Sequence, residues 1–421
     1  MTAQSMTAAS TAVPTASSTA SPTTERPLAG TVVLDLTQIY NGPYATFMLA
    51  AAGAEVIKIE PHGGEHLRRR ALAGSSTSKL PFAMLNAGKR SLRLDLKTEA
   101  GRDIVLRLAE QADVLVENFA PGVLTRLGLG PEVVRARNPR LVYASSTGYG
   151  DTGPYRDYLA MDLSVQAMSG VMSVTGNPDQ PPLKSGPAVC DFFAGVHLYG
   201  AIVTALLERT RTGRGRLVHV TMMEATYFSL TSNLGMVHAQ PGLKYARTGN
   251  RQGGMSISPY NVYEAKDGHI AIVVNHDKHW QSLLCAFGQE ALAEDPRYLT
   301  NVARVSRMDE VDDMITGWTK RLPKQGIFER LNAQHVPAAP VRELSEVMED
   351  PQLHSRGALR WVDHPEYGRI VAPASPLRFD GEAMLPERPS VPLGTDSHDV
   401  LQERLGMTDA EIESLEKSGV I

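Results

Sequence analysis

An alternation of short apolar strands with helical segments most constrains the fold of this chain. TVVLDL (31–36) and EVIKIE (55–60) are β-branched and apolar, and a helical stretch lies between them. Further strand-like segments at 90–96, 113–118 and 140–145 are separated by helical segments at 98–112 and 121–128. Strands joined through helices run parallel, with helices packed on both faces of the sheet. The sequence therefore predicts a Rossmann-like α/β domain with a mostly parallel sheet.

The remaining chain predicts a second, smaller domain. An apolar helical pattern at 191–213 and a strand at 216–223 end the first domain, and a hairpin pattern follows at 256–275. At 421 residues the chain exceeds what one hydrophobic core usually serves. We predict a large domain over 26–225, a linker over 226–246, a small α+β domain over 247–346, and a C-terminal segment, 347–421, that returns to the large domain. In that segment, Thr408 and Glu411 form a capping box before a helix at 408–419.

Composition limits the compartment and the partners. Residues 1–25 are almost all Ser, Thr, Ala and Pro, which predicts a disordered tail. A net charge of -4 argues against a nucleic-acid partner. Cys190 and Cys285 lie far apart, and the longest apolar run, at 45–54, is too short to span a membrane. We expect a cytoplasmic protein with no membrane partner.

The motifs disfavour nicotinamide, flavin and metal cofactors. TQIYNGPYA, between the first strand and helix, lacks the glycines that let backbone amides approach a pyrophosphate. The pairs His62/His66 and His276/His279 have no Cys cluster or HExxH motif beside them, so hydrogen-bonded surface roles are preferred. We therefore expect no metal and no permanently bound cofactor.

Two basic runs could hold the phosphates of a nucleotide-like ligand. Arg68-Arg69-Arg70 and Lys89-Arg90 supply guanidinium and ammonium groups, and guanidinium pairs with phosphate bidentately. The alternative to phosphate binding is that each run lies on a solvent-exposed face of the protein.

Asp191 is the carboxylate that the pattern singles out. It follows SGPAVC and opens the apolar helix, so its carboxylate would lie at the positive end of the helix, which favours the ionised form. From the pattern alone, a plain N-cap aspartate is the preferred explanation.

Several blocks, taken together and in order, resemble the family III CoA-transferases, the formyl-CoA transferase and carnitine CoA-transferase group, also called CaiB/BaiF-like. The resemblance covers 27–421. The blocks are LAGTVVLDLTQIYNGPYATFMLAAAGAEVIKIEPHGGEHLR, NAGKRSLRLDLK, ADVLVENFAPGVLTRLGLG, NPRLVYASSTGYGDTGPY, DLSVQAMSG, GRGRLVHVTMMEA, RTGNRQGG, SPYNVYEAKDGHI, DPQLHSRG and PLGTDSHDVLQERLG.

The resemblance implies an enzyme that moves coenzyme A from an acyl-CoA donor to a carboxylic acid, with Asp191 in AVCDFFAG as nucleophile. The coenzyme A thioester is then a substrate. It also implies a homodimer whose chains thread through each other like linked rings. The implied CoA contacts are Tyr40, Asn41, the backbone from Leu94 to Lys97, Asn118, Phe119, Ala120 and, for phosphate, Arg126, and the implied loop over the reacting centre contains Gly253 and Gly254.

The chemistry of this family suits an aspartate. A carboxylate that attacks a thioester forms a mixed anhydride, which keeps the acyl group activated, and CoA thiolate then converts the anhydride to an aspartyl-CoA thioester. An ordinary aspartate pKa near ~3.9 would keep Asp191 ionised without a dedicated base.

The chain also departs from the formyl-CoA transferase pattern. Tyr40-Asn41 stand where those proteins carry Gln-Ala, and Gly-Gly-Met-Ser (253–256) replaces a run of four glycines. Both changes touch the acyl site, so we predict an acyl group other than formate or oxalate.

Two alternative functions remain. An α-methylacyl-CoA racemase would use Asp162 with a histidine, but the corresponding PEVVRARN contains Glu132 and no histidine. A non-catalytic CoA-binding partner subunit is the other alternative, and the presence of Asp191 argues against it.

Overall fold

A six-stranded, wholly parallel sheet organises the large domain. The computed structural model describes residues 26–69, 80–242 and 247–421, so the predicted tail at 1–25 and Arg70 lie outside the described residues. The strands, in sheet order β3-β2-β1-β4-β5-β6, are β1 (Val32–Asp35), β2 (Glu55–Glu60), β3 (Arg90–Arg93), β4 (Val114–Glu117), β5 (Val142–Thr147) and β6 (Leu217–Thr221). This confirms the predicted mixed α/β fold with a mostly parallel sheet.

Helices cover both faces of this sheet. The helices in this part of the chain are α1 (Asn41–Ala51), α2 (His66–Arg69), α3 (Leu80–Asn86), α4 (Glu99–Gln111), α5 (Val123–Arg126), α6 (Pro131–Arg137), α7 (Asp162–Ser169), α8 (Val171–Val174), α9 (Val189–Thr212), α10 (Met222–Tyr227) and α11 (Thr231–Ala239). Successive strand residues point to opposite faces, so Leu34 packs with α4 residues while Val33 packs with α1 and α9 residues. Two apolar cores result, one on each side of the sheet.

The order of the strands creates a crevice between β1 and β4. The chain first adds β2 and β3 on one side of β1, and then crosses to add β4, β5 and β6 on the other. The loops that leave the carboxyl ends of β1 and β4 therefore diverge, and open α/β sheets bind ligands where the loops diverge in this way.

A second sheet lies in the chain segment that follows. Antiparallel strands β7 (Tyr260–Ala265), β8 (Gly268–Val273) and β9 (Ala338–Pro340) form it, in that order. Helices α12 (Asp277–Phe287), α13 (Asn301–Val305), α14 (Met308–Thr319) and α15 (Lys324–Ala333) surround it. A separate core forms here, with Trp280 buried against Ile270 and Ile315. The hairpin predicted at 256–275 is confirmed as the β7–β8 pair.

The C-terminal segment packs on the large sheet. It contains α16 (Leu344–Met348), α17 (Pro351–Ser355), β10 (Leu359–His364), β11 (Gly368–Pro373), β12 (Arg378–Phe379), β13 (Glu382–Ala383), α18 (Ser397–Leu405) and α19 (Asp409–Lys417). Leu401 and Ile412 join the core on the α4 side, and the Asp95 amide donates to the Val420 carbonyl at 2.8 Å. The capping box of Thr408 and Glu411 is confirmed at the start of α19.

Helix α9 corrects the expectation that no apolar run approaches membrane-spanning length. By length and composition alone, its 24 residues could cross a membrane. Leu198, Ile202 and Leu206 are buried against the sheet, however, which is the pattern of a core helix. The same helix carries Asp191.

Candidate active site

The loop between β1 and α1, residues 36–40, is fixed at the crevice by Asn118 from the neighbouring strand loop. The Asn118 side chain accepts from the Gln38 amide at 2.9 Å and donates to the Gln38 carbonyl at 2.8 Å. Both ends of the Asn118 amide are therefore occupied by the backbone of this first loop. Asn118, an implied CoA contact, also holds the two loops together at the switch point.

Ile39 in this first loop has a backbone conformation that a β-branched residue rarely adopts. Its φ is 68°, in the left-handed region. The Glu65 carboxylate accepts from the Ile39 amide at 3.2 Å, which supports this conformation from the β2 side. Such backbone strain is retained mainly where the surrounding structure enforces it, as in ligand sites.

A cavity of about 370 Å³ opens at the carboxyl ends of β1, β4 and β5. It brings together four of the predicted site residues besides Asp191, namely Asn41, Asn118, Phe119 and Ala120. The remaining lining residues are Gln38, Ile39, Pro121, Ser146, Thr147, Gly148, Tyr149, Gly150, Arg156, Tyr158, Leu159, Ala160, Met161, Asp162 and Met222. Residues far apart in sequence thus form one pocket around Asp191.

The N-terminus of α9 is capped by Asp162, which corrects the N-cap interpretation of Asp191. Helix α9 begins at Val189, so Asp191 is its third residue. The Asp162 carboxylate accepts from the Cys190 amide at 3.0 Å and from the Asp191 amide at 3.4 Å. The Asp191 carboxylate itself receives no hydrogen bond from any residue that the structure describes, although only 8% of this residue is exposed. It is left unbonded in the cavity.

The environment of Asp191 also corrects the expectation of an ordinary pKa. Burial, and secondly the nearby charge of Asp162, raise the pKa of Asp191 to about 7. Water that would stabilise the charged form is largely excluded, and no donor replaces it. A carboxylate of this kind is poorly solvated when ionised, which makes it a stronger nucleophile than an exposed one.

A second cavity, of about 210 Å³, lies on the β2 side of the first loop. It contains the predicted Leu94 and Lys97, and Gln38 and Phe119 line both cavities. Its other lining residues are Leu36, Thr37, Ile59, Glu60, Pro61, Gly64, Glu65, His66, Arg69, Asp95, Leu96 and Leu127. The two cavities together form an elongated site that suits a long ligand.

Four predicted site residues do not line either cavity. Tyr40 stacks on Phe192, with ring centroids 5.9 Å apart. Arg126 is exposed at the end of α5, beside Leu127 of the second cavity. Gly253 and Gly254 lie in a turn against α11, where a Cβ on Gly253 would come within 2.8 Å of the Asn233 side chain. Neither glycine is among the residues that line the Asp191 cavity.

Three members of the basic runs form internal ion pairs, which corrects both earlier interpretations for Arg68, Lys89 and Arg90. Arg68 pairs with Glu60 at 2.7 Å, and Arg90 pairs with Glu55 at 2.9 Å. Lys89 is buried and donates to Asp35 at 2.9 Å, while burial lowers its pKa to about 8. Among the described members of the two runs, Arg69 is the one that lines the second cavity. In the described ranges, no group of three or more His, Cys, Asp or Glu residues could hold a metal ion.

Three carboxylates that the sequence analysis left without a structural role position the site through backbone amides; Glu65 and Glu117 are buried and Asp162 is half-buried. Asp162 caps α9, Glu65 holds Ile39, and Glu117 accepts from the Phe119 amide at 2.8 Å. Burial raises the pKa of Glu117 to about 7. Glu117 opens the ENFAP segment and Asp162 opens the DLSVQAMSG block, but neither motif indicates a hydrogen bond to a backbone amide.

Comparison with known proteins agrees with this geometry. The pattern described as CoA-transferase family III matches residues 28–397. The chain belongs to CoA-transferase family III. It is 37% identical over 413 residues to the formyl-CoA:oxalate CoA-transferase of Streptomyces coelicolor, covering 94% of this chain and 100% of that protein. It is 36% identical to the succinate–glutarate CoA-transferase of Agrobacterium fabrum, covering 93% and 97%.

A solved structure gives the same result. The family III chain superimposes on a CaiB/BaiF family protein from Brucella suis with a TM-score of 0.80 and 32% identity, over 90% of this chain and 100% of that one. Membership confirms the predicted family and the predicted enzyme class, a CoA-transferase.

The racemase alternative has no support in the site. Asp162, its expected base, accepts two backbone amides and a 2.6 Å hydrogen bond from Gln166. Glu132 lies on α6 and lines a different surface pocket. Of the two carboxylates that line this cavity, Asp191 is the one that accepts no hydrogen bond from a described residue.

Proposed function

We propose that this enzyme transfers coenzyme A from an acyl-CoA donor to a carboxylic acid, with Asp191 as the covalent nucleophile. The observation that carries the proposal is the Asp191 carboxylate, which is buried in the cavity without a hydrogen-bond donor among the described residues. Family membership supports the reaction class.

The proposed sequence of bonds needs no acid or base. An Asp191 oxygen attacks the thioester carbon, the C–S bond breaks, and CoA thiolate leaves a mixed anhydride. The thiolate then attacks the Asp191 carbonyl carbon, which expels the first acid as its carboxylate and leaves an aspartyl-CoA thioester. The acceptor carboxylate attacks this thioester and repeats both steps in reverse. Each step exchanges one anion for another, so no proton is transferred.

Coenzyme A would extend through both cavities. Its nucleotide end fits the second cavity, where the Arg69, Lys97 and Arg126 side chains lie in or beside the pocket and could pair with phosphates. The pantetheine arm would pass Phe119, which lines both cavities, and bring the thioester to Asp191. The implied CoA contacts at Leu94, Asn118 and Ala120 lie along this route.

A dicarboxylic acid is the substrate class that the cavity favours. Arg156 is the one Lys or Arg among the described residues that line the Asp191 cavity, and its nearest acidic oxygen, on Asp157, is 3.9 Å away. It is therefore available for a second carboxylate. The names of similar proteins include oxalate, succinate, glutarate and mesaconate, which are all dicarboxylic acids or their anions. The altered residues at 40–41 and 253–256 still favour an acid larger than oxalate.

A cytoplasmic homodimer is the proposed assembly. Large apolar side chains are exposed at several positions, among them Leu159, Leu207 and Phe228 at 88%, 64% and 79% exposure. Exposed apolar surface of this extent is typical of an interface between subunits. Light scattering of the purified protein tests the assembly.

A labelling experiment tests the nucleophile. Wild-type enzyme incubated with a CoA thioester alone should form a covalent adduct, which hydroxylamine converts to a hydroxamate at residue 191, seen by peptide mass spectrometry. Asp191→Asn should form none. A racemase would form no adduct and would exchange the substrate's α-hydrogen in heavy water, and an adduct at Asp162 would show that the wrong carboxylate was chosen.

The same preparation defines the substrates. A matrix of CoA donors and acid acceptors, followed by mass spectrometry of the CoA esters, identifies the acid pair. Arg156→Ala should lower kcat/KM for succinate by on the order of 10-fold relative to butyrate, because only succinate has a second carboxylate. An equal loss for both acids would remove Arg156 from substrate selection.

A further inference from the structure

Side chains, rather than other backbone groups, hold the first loop beside the two cavities. The Thr37 amide donates to the Asp35 carboxylate at 2.8 Å, and the Thr37 carbonyl accepts from Lys58 Nζ at 2.8 Å. The next two residues, Gln38 and Ile39, are bonded to side chains in the same way. Thr37 lines the second cavity and Gln38 lines both, so the conformation of this stretch decides how the two cavities meet.

A buried ion pair fixes the Asp35 carboxylate that holds Thr37. Asp35 is fully buried, and only 2% of Lys89 is exposed. Lys89 Nζ donates to Asp35 Oδ2 at 2.9 Å, and it also donates to the Thr46 hydroxyl at 2.7 Å and to Asn86 Oδ1 at 2.8 Å. An ammonium group has three N–H bonds, so these nearest acceptors use all of them. Lys89 therefore ties Asp35, and through it Thr37, to α1 and α3.

Two lysines face Asp35, and Lys89 is the closer of them. Lys58 Nζ is 3.9 Å from this carboxylate and donates to the Thr37 carbonyl, whereas Lys89 donates to Asp35 directly. Removal of one partner of a buried ion pair leaves an uncompensated charge, which is costly. Loss of the Lys89 charge should therefore loosen the contacts of Asp35, including the one to Thr37.

Lys89 can lose its charge at a pH within the range of ordinary assays. Burial lowers the pKa of Lys89 to about 8, although the charge of Asp35 opposes this shift. The other charged groups that act on its ammonium are Lys58 from β2 and Glu65 from the segment before α2, while α1 and α3 present uncharged partners. Arg388 donates to the backbone carbonyl of Lys89 at 3.0 Å. A neutral amine has only two N–H bonds for the same three acceptors, so its contact with Asp35 weakens.

We propose that Lys89 is a positioning residue for coenzyme A, which acts through Asp35 and Thr37 to keep the first loop in its binding conformation. A buried ion cluster adds little net stability over packed apolar side chains, so its main effect is expected in the geometry that it enforces. A loop that is in place in only a fraction of the molecules weakens ligand binding by that fraction. This inference rests on the proposed route of coenzyme A through both cavities and deepens it.

Calorimetric titration with acetyl-CoA tests the role of Lys89. Asp191→Asn serves as the background, because it prevents turnover and removes a carboxylate that titrates near 7. In this background Lys89→Met, which keeps an unbranched side chain and removes the charge, should raise Kd at pH 7 by on the order of 10-fold with unchanged stoichiometry. Lys320→Met, at an exposed lysine of the second sheet's helices, is the matched control and should leave Kd unchanged.

A pH series separates the charge of Lys89 from its bulk. In the background protein that keeps Lys89, Kd should rise with pH through about 8 towards the value of the Met variant, and the Met variant should lack this rise. The thioester probe has no free thiol to titrate. Because the background series needs no substitution at residue 89, it decides the question even where Lys89→Met does not fold.

Three results would overturn the role of Lys89. One is an unchanged Kd with a lower stoichiometry or melting temperature in Lys89→Met, since the cluster would then only stabilise the fold. The others are a Kd that stays flat between pH 7 and pH 9 in the background protein, and an equal rise in both proteins, which would assign the titration to another group. Absence of acetyl-CoA binding by the background protein and by its Lys320→Met control would instead overturn the proposed function.

Discussion

Replacement of Asp191 by asparagine should abolish transfer and at the same time stabilise the fold at alkaline pH. The pKa of Asp191 is about 7 in the folded chain against an ordinary 3.8. The folded state therefore holds a proton that the unfolded state loses between these values, so stability falls as pH rises between them. Below 3.8 both states are protonated and the penalty vanishes, and above 7 it is complete.

The size of this penalty follows from the two pKa values. At about 1.4 kcal/mol for each unit of pKa, full ionisation of Asp191 costs about 4 kcal/mol of folding stability. Asparagine is close in shape and stays neutral, so it avoids this cost. The stability gap between the Asn variant and wild type should be about 2 kcal/mol larger at pH 8.5 than at pH 5.5.

Urea unfolding of both proteins at pH 5.5 and pH 8.5, followed by tryptophan fluorescence, measures this gap. Asp179→Asn is the matched control, because Asp179 is an exposed carboxylate in the same domain and should show no such pH dependence. The reasoning that residue 191 buries an unbonded charge would be refuted by either of two results. One is a stability difference between the two proteins that does not change with pH, and the other is an Asn variant less stable than wild type at pH 8.5.

Three further predictions address the mechanism and the CoA route. Because attack requires the ionised carboxylate, the rate of adduct formation at Asp191 should rise with pH through about 7 in single-turnover assays, and a flat profile would contradict this. Arg126→Ala should raise KM for the CoA thioester by on the order of 10-fold and leave KM for the free acid unchanged, and equal changes would exclude a phosphate contact. Asn118→Ala removes both hydrogen bonds to the Gln38 backbone, so kcat/KM for the thioester should fall by on the order of 10- to 100-fold. An unchanged kcat/KM would mean that the first loop keeps its position without the Asn118 side chain.

The local pattern of apolar residues predicted much of the fold, because strands and helices each place apolar side chains at their own period along the sequence. The strand at 55–60 is β2 to the residue, and the hairpin and the last capping box are present as expected. The start of α9 was wrong by two residues for a physical reason. An aspartate near a helix start suggests an N-cap, but here the capping carboxylate is Asp162, so the helix begins earlier, at Val189.

The sequence by itself determined the parallel α/β class and the family, because these depend on periodicity and on motifs that lie along the chain, and the same motifs predict Asp191 as the nucleophile. Tertiary structure alone decided the chemistry around that residue. The raised pKa of Asp191 depends on burial and on Asp162, 29 positions away. Desolvation and hydrogen-bond direction are properties of neighbours in space, and the strand order that brings those neighbours together is not encoded in any local pattern.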